Sequence, residues 1–384
     1  MKNLMIFSIL FGFNSVAQEC NSLPPDSSDF CHVEKFFANS PSHEPFDNSF
    51  CKYNVGINEY YPEGKNVPWA GNYMPLLSGG LCTRWQLSPS THPTTSSILT
   101  WQQVQEMDVE AISKLSPSEK MDIYLGYKDF RITKNELTRR GPERSNVLGW
   151  EGFCNGVRLA GVLLPEPEKD ILVKSQSGDE IYIQFSPADL KALGGAVYYY
   201  TQWYASLGEN NKRKPNAGYF DMLLRFAIGN QNRCFFIDIQ PGEQKWNETV
   251  VGYKRELINQ TVASAELRTR GITKIINVKT TLYLLGEIGI NQSNSLTKPF
   301  IEAHQLVNTW ETNYLLYVND NNEIIDGEWK KFDPNPSHMF LNYPDYIWLG
   351  SGKGTDEVTI GNRNDNNSLL PFLEVQNLFL LSVN

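Results

Sequence analysis

Features typical of membrane proteins and nucleic-acid-binding proteins are missing from this chain of 384 residues. After residue 20 there is no run of about 18 apolar residues, the length that a membrane-spanning helix needs. The chain carries 34 Lys and Arg against 43 Asp and Glu, a net charge of −9, and it has no long basic run. We therefore expect no membrane span, no anionic membrane surface and no nucleic-acid partner.

Metal-binding patterns are also scarce. The cysteines near the N-terminus form no CxxC pair, and the histidines have no zinc spacing. The five histidines are His32, His43, His92, His304 and His338. The stretch Asp320–Asp326 has the oxygen ligands of a calcium loop but lacks its glycine and its final bidentate acid, so a hairpin turn is the better interpretation. We expect no metal and no cofactor.

The first 17 residues have the pattern of a signal peptide. Lys2 supplies a positive end, Leu4–Phe13 is apolar, and Ser15-Val16-Ala17 is a small-residue cleavage pattern. The alternative is a buried N-terminal helix. The pattern predicts a secreted, extracellular protein whose mature chain begins near Gln18.

Cysteine usage agrees with an oxidising destination. Four of the six cysteines fall in a stretch rich in Pro, Ser and Asn that would bury little apolar surface, and disulfides commonly stabilise such stretches. They are Cys20, Cys31, Cys51 and Cys82. We expect two bridges among them, in any of three connectivities. Metal binding is the rival interpretation.

The remainder of the chain predicts an α+β fold in which helices precede strands. Residues 86–99 form a Ser/Thr/Pro-rich connector. Helical spacing follows over Trp101–Leu115, a capping box with Pro at the first helical position opens a helix at Ser116, and a third helix covers Thr133–Arg139. We therefore divide the chain into a Cys-rich segment at 18–99, a helical subdomain at 100–145 and an α+β domain at 146–384.

The α+β domain begins with helices and continues mainly as strands. We expect a helix over Phe153–Leu164, a hairpin formed by Ile171–Lys174 and Glu180–Phe185, and a helix from Ser186 to about Tyr200. The expected later strands are Tyr219–Ile228, Cys234–Gln240, Thr249–Leu257, Lys274–Glu287, Asn313–Val318 and Glu323–Trp329. Such an order is typical of an antiparallel sheet covered by helices.

Cys154 is the best candidate for chemistry because it stands at the predicted start of a helix. Free backbone N–H groups and the helix dipole stabilise a thiolate there, and the same N–H groups can hold an oxyanion. Gly152 would permit a close approach to the helix start. A buried inert cysteine, or one bridged to Cys234, is the open alternative.

Gly152-x-Cys154 resembles the nucleophile motif of the transglutaminase superfamily, and the wider chain resembles the transglutaminase elicitor family of oomycetes and some bacteria. The shared stretches, within about residues 146–350, are Gly149–Cys154, Leu164–Glu166, Asp189–Leu193, Asn216–Phe220, Asp238 with Trp246–Asn247, Gly327–Trp329 and Pro344–Trp348. The resemblance implies a papain-like core of helices on an antiparallel sheet. It also implies a Cys-His-Asp triad that joins glutamine side chains to amines, with a protein substrate or a host protein as partner.

The resemblance assigns catalytic roles to Cys154 as the nucleophile and Asp238 as the orienting acid. At the place of the family's histidine this chain has Asp221. Trp150, Asn155 and Trp246 are the expected substrate contacts. Asn155 follows the nucleophile, where the family usually has His or Trp; a further family histidine is replaced by Tyr343.

The missing histidine leaves two hypotheses open. An active enzyme would use His304, His338 or Asp221 as its base, because acyl transfer by a thiol needs a proton acceptor. An inactive protein would keep the scaffold for binding a partner.

The pair Gly229-Asn230 predicts a two-residue hairpin turn that sets Asp221 opposite Asp238 on one face of the sheet. A longer turn, which shifts the register by one residue, is the alternative.

Overall fold

The computed structural model of the chain describes residues 46–199, 203–208, 214–240, 242, 244–330, 342–350 and 369–383. The predicted signal peptide, Cys20, Cys31 and His338 lie outside these residues. Among the helices that the structure describes, none is long and apolar enough to cross a membrane.

The described strands form an eight-stranded antiparallel sheet and a separate two-stranded hairpin. In chain order, the strands are β1 (Glu59–Tyr60), β2 (Ile171–Lys174), β3 (Tyr182–Phe185), β4 (Trp203–Leu207), β5 (Phe235–Asp238), β6 (Glu248–Val262), β7 (Lys274–Leu285), β8 (Val307–Val318), β9 (Ile324–Trp329) and β10 (Tyr346–Gly350). Across the large sheet the order is β4-β10-β5-β6-β7-β8-β9, with β1 pairing to β6. The hairpin β2–β3 and strands β5 to β9 confirm the predicted strands, with changes at their ends.

Helices cover both faces of this sheet. They are α1 (Trp101–Gln105), α2 (Val109–Ser113), α3 (Pro117–Leu125), α4 (Arg131–Arg139), α5 (Cys154–Leu163), α6 (Pro187–Tyr199), α7 (Ala217–Leu223), α8 (Ala265–Thr269), α9 (Ile290–Ser293), α10 (Lys298–Glu302) and α11 (Phe372–Val383). The capping box at Ser116 and Glu119 is present at the start of α3, as the sequence predicts. The combination of helices with an antiparallel sheet confirms the α+β class.

Two of the predicted elements are wrong. The helix expected over Trp101–Leu115 is divided into α1 and α2, because Asp108 accepts a hydrogen bond from the Ala111 N–H and caps a new helix. The strand expected over Tyr219–Ile228 is helical: α7 continues into a π-helix at Leu224–Asn230.

The second error has an identifiable cause. Asn216 caps α7 through its side chain, which accepts hydrogen bonds from the Gly218 and Tyr219 N–H groups. The helix is then buried on every side, so its sequence has the continuous apolar composition of a buried strand. The predicted turn at Gly229-Asn230 is therefore the end of the π-helix and does not join two strands.

The two faces of β5 pack against different cores. Phe236 belongs to the core that contains α5 and α6, whereas Phe235 and Ile237 belong to the core that contains α7. Side chains alternate along a strand, so Asp238 lies on the same face as Phe236. Asp221, on α7, lies on the opposite face of the sheet, and the predicted pairing of Asp221 with Asp238 is wrong.

Candidate functional site

Cys154 is the first residue of α5, as expected, and the segment that contains Tyr73 lies against the start of this helix. The Phe153 N–H donates to the Tyr73 carbonyl at 2.6 Å. Gly152 makes this contact possible, because a Cβ there would lie 2.3 Å from the Tyr73 ring. Tyr73 and Gly152 thus set the position of the thiol.

The side chain that contacts the Cys154 thiol is the amide of Asn247. Its Nδ2 donates to Cys154 Sγ at 3.1 Å, and its Oδ1 accepts from Trp348 Nε1 at 2.6 Å. Arg158 Nε donates to the Asn247 carbonyl at 3.0 Å. Trp348 and Arg158 therefore fix the orientation of the amide toward the sulfur.

Asp238 acts on this arrangement through the backbone. Its carboxylate accepts hydrogen bonds from the Trp246 N–H at 3.0 Å and the Gln240 N–H at 2.9 Å. It thereby holds the segment that carries Asn247 next to the thiol. The indole of Trp246 donates to Gln244, and Trp246 does not line the cavity that opens beside the Cys154 thiol.

A cavity of about 420 Å³ opens beside the thiol. Its lining residues are Arg139, Arg140, Arg144, Trp150, Glu151, Gly152, Cys154, Asn155, Tyr199, Lys245 and Asn247. Of the three substrate contacts expected from the sequence, the structure brings Trp150 and Asn155 to the cavity wall.

Burial raises the pKa of the Cys154 thiol, and the hydrogen bond from Asn247 opposes that increase. Glu287 lies near enough for its negative charge to raise this pKa further, whereas the positive charge of Arg158 lowers it. Arg158 is only 3% exposed, and its Nη1 has no hydrogen-bond partner among the described residues. The charges of Glu287 and Arg158 therefore have opposite effects on the pKa of the thiol.

Desolvation raises the pKa of two carboxyl groups near the site. It raises the pKa of the buried Asp238 to about 7 and also that of Glu287 to about 7, although Glu287 is exposed to solvent. Glu287 lies two residues after the end of β7. The carbonyl of the next residue, Ile288, accepts a hydrogen bond from Asn72 Nδ2 at 2.9 Å. The Asn72–Tyr73 segment thus connects Glu287 to the start of α5.

Asp221 takes no part in this cavity. It is fully buried between Arg225 (Nε to Oδ2, 2.9 Å) and Arg255 (Nε to Oδ1, 2.6 Å), and it accepts a hydrogen bond from Tyr314 at 2.8 Å. Burial raises its pKa, but the charges of Arg255 and Arg225 outweigh burial and hold the pKa below its usual range. The structure therefore gives Asp221 the position of a structural anion, away from Cys154.

The two arginines connect Asp221 to the N-terminal part of the described chain. Arg225 donates to the carbonyls of Phe50, Lys52 and Val55, and Arg255 donates to the carbonyl of Tyr53. The carboxylate thus holds two guanidinium groups that together secure residues 50–55 against the sheet.

Among the residues that line the described cavity there is no histidine. His304 is exposed, stacks on Tyr61 with 3.7 Å between the ring centres, and does not line this cavity. His338 lies outside the described residues.

The cysteines are arranged differently from the expectation. Cys154 and Cys234 are both free thiols, so the alternative of a bridge between them is wrong. Cys82 is also a free thiol, buried beside Ser118, which donates to its sulfur. The expected pair of bridges among Cys20, Cys31, Cys51 and Cys82 would use Cys82, and the structure has no bridge at Cys82.

Several residues of the site were not singled out from the sequence: Arg139, Arg140, Arg144, Arg158, Lys245 and Glu287. Asn247 belonged to a recognised motif but had no assigned role. The charged residues have no local spacing that would indicate a site, because they come from α4, α5, the loop before β6 and the end of β7.

Comparisons with known proteins show the family and the fold of the chain. The family model of the transglutaminase elicitor matches residues 46–378. The chain is also similar to the crystal structure of the GP42 transglutaminase from Phytophthora sojae, with a TM-score of 0.59 and 19% sequence identity over 93% of this chain and 98% of that one. At this identity the likeness shows a shared fold. No curated protein matches the chain.

Proposed function

The chain belongs to the transglutaminase elicitor family, and on that premise we propose that it is a secreted cysteine acyltransferase that acts on glutamine side chains of proteins. Cys154 is the proposed nucleophile. The observation that carries the proposal is the contact between Cys154 Sγ and the Asn247 amide beside an open cavity.

The proposed reaction has two steps. The Cys154 sulfur attacks the Cδ carbon of a glutamine side chain, the C–N bond breaks, and ammonia leaves with the thiol proton, which forms a thioester. An amine then attacks the thioester carbon, the C–S bond breaks, and the thiol regains a proton. The Asn247 Nδ2 group and the N–H groups at the start of α5 are the donors available to a developing oxyanion.

Glu287 is the carboxyl group that we propose as the proton acceptor. Its charge acts on the Cys154 thiol, and desolvation raises its pKa to about 7. A base works best when its pKa lies near the working pH, so a carboxyl with this pKa can replace an imidazole in part. Asp238 is then a positioning residue, which holds the Trp246–Asn247 segment.

An amine-incorporation assay with a glutamine-containing protein tests the proposal. The parent protein is expected to incorporate a labelled amine, and Cys154→Ala is expected to abolish incorporation. Cys234→Ser is the matched control, because it removes a buried free thiol. Incorporation that survives Cys154→Ala would remove Cys154 from the reaction.

A second candidate function is binding without catalysis. It is favoured by the raised pKa of the Cys154 thiol, which disfavours the thiolate at neutral pH. This alternative requires a folded protein that alkylates slowly at Cys154 and incorporates no amine. A host protein would then be the partner.

Secretion is part of the proposal and has its own test. The signal pattern at residues 1–17 supports it. Mass spectrometry of the protein recovered from culture medium is expected to find a mature N-terminus near Gln18. Retention of an uncleaved chain inside the cell would contradict it.

A further inference from the structure

The wall of the Cys154 cavity has a charge opposite to that of the whole chain. Four cationic residues line it, with one acidic residue, Glu151. The cations are Arg139, Arg140, Arg144 and Lys245. In a protein with a net charge of −9, this local excess of positive charge stands out.

The contacts of these residues hold their charged groups in place. Arg140 lies 3.6 Å from the centre of the Tyr199 ring, and Lys245 lies 4.7 Å from the centre of the Tyr346 ring. An aromatic ring positions a cation without contributing an opposite charge. Arg139 donates to Asn135 at 2.6 Å and forms an ion pair with Glu136 at 3.5 Å. Arg144 forms an ion pair with Glu151. Four cations against these two carboxylates leave an excess of positive charge at the wall.

The cationic residues belong to segments that line the cavity beside Cys154. The carbonyl of Lys245 is 3.9 Å from Cys154 Sγ, and Asn247, which contacts the thiol, comes two residues later. Arg139 and Arg140 approach the same cavity from the end of α4, and Arg144 from the loop that follows. A ligand that places its reacting group at Cys154 therefore has its neighbouring groups among positive charges.

We infer that this cavity selects glutamines that lie within acidic polypeptide segments, whose Asp and Glu side chains pair with the cationic wall. The inference rests on the proposed function, since it names the substrate class of the same site. A cavity lined by charge of one sign raises the local concentration of ligands of the opposite sign, and salt weakens the effect.

Alkylation of Cys154 by a charged and a neutral reagent tests the charge of the wall without any enzymatic turnover. The rates for iodoacetate and iodoacetamide are measured by mass spectrometry of the Cys154 peptide, and each is divided by its rate for the unfolded chain. We expect the normalised ratio to favour iodoacetate by about tenfold at low salt and to fall as salt is added.

Variants that remove a positive charge test whether the cationic residues of the cavity wall cause the preference for iodoacetate. Lys245→Gln and Arg139→Gln are each expected to lower the ratio several-fold. Arg131→Gln is the matched control on the same helix, because Arg131 is half exposed and does not line the cavity. A ratio near one in the parent, or a ratio that the wall variants leave unchanged, would refute the inference that the cationic residues attract anions to Cys154.

Protection of Cys154 by peptides and by succinate tests whether the site binds an acidic polypeptide or any small anion. An acidic glutamine peptide is expected to protect Cys154 from iodoacetamide at a lower concentration than succinate of equal carboxylate content, and a Lys-rich glutamine peptide is expected to give no protection. Equal protection by succinate would contradict the polypeptide part of the inference.

Amine-incorporation assays distinguish failure of this inference from failure of the proposed function. Equal incorporation into acidic and Lys-rich glutamine peptides would refute the inference and leave the acyltransferase intact. A strong preference for iodoacetate together with no incorporation into any peptide would refute the acyltransferase and leave the cationic site.

Discussion

Asn247 Nδ2 lies 3.1 Å from Cys154 Sγ, so the side chain that donates to the sulfur is an amide, which cannot accept the thiol proton at neutral pH. Trp348 and Arg158 fix that amide. The site is therefore arranged to stabilise a negative charge on sulfur or on an adjacent oxygen, and proton transfer is left to another group.

Asn247→Ala should raise the pKa of the Cys154 thiol, because the hydrogen bond that lowers this pKa is lost. The pH profile of Cys154 alkylation is expected to move to higher pH. Acyl transfer is expected to fall by about 10²-fold, as for the loss of one oxyanion donor. An unchanged alkylation profile would show that the amide does not act on the thiol.

Glu287→Gln should move two measurements in opposite directions. Removal of its negative charge lowers the pKa of the Cys154 thiol, so alkylation at pH 7 becomes faster. Acyl transfer becomes slower, because the proposed proton acceptor is gone. The control is Glu266→Gln, in the exposed helix α8. If alkylation and acyl transfer both rise in Glu287→Gln, Glu287 is no base.

Asp221→Asn should destabilise the fold strongly, since it leaves two buried guanidinium groups without their carboxylate. Breaking a buried pair typically costs about 3–5 kcal/mol. Urea unfolding measures the loss. Glu311→Gln, which breaks a surface pair with Lys279, should cost less than about 1 kcal/mol.

Placing histidine at position 221 is expected to destabilise in the same way and to leave acyl transfer no faster, because Asp221 lies on the face of the sheet away from Cys154. A variant Asp221→His with parental stability and raised activity would contradict this assignment.

Asp238 should make the fold more stable as the pH falls. Its pKa in the folded protein is raised to about 7, above the value of about 3.9 expected for an unfolded chain. Between these two values the folded state binds more protons than the unfolded state, so the free energy of unfolding increases from pH 7 toward pH 4. Asp238→Asn should flatten that dependence in urea unfolding at pH 7.5 and pH 5. An identical dependence in the variant would remove Asp238 as its source.

The sequence predicted the elements whose signals are local. The capping box at Ser116, the helix that begins at Cys154 and the alternating strands β7 and β8 all have such signals. The α7 segment has no local signal that distinguishes a helix from a strand. A helix that is buried on all sides has the same apolar composition as a buried strand. The Gly229-Asn230 pair added a turn signal that favoured a strand on either side of it.

The site was predictable only in part for a related reason. Cys154, Trp150 and Asn155 lie within six residues of one another, and one motif finds all three. The charges of Glu287 and Arg158 act on the thiol, and the Lys245 carbonyl lies near it, only after β6, β7 and α5 are packed together. No spacing in the sequence predicts that these residues lie near one another, so their proximity is seen only in the folded chain.

The most direct test of the account is the detection of an acyl-enzyme on Cys154. The protein is mixed with a glutamine peptide, quenched in acid and digested, and the Cys154 fragment is weighed by mass spectrometry. We expect this fragment to carry the mass of the peptide less ammonia, and we expect the adduct to disappear when an amine is added before the quench. A Cys154 fragment that stays unmodified while amine is incorporated, or an adduct on another residue, would contradict the account.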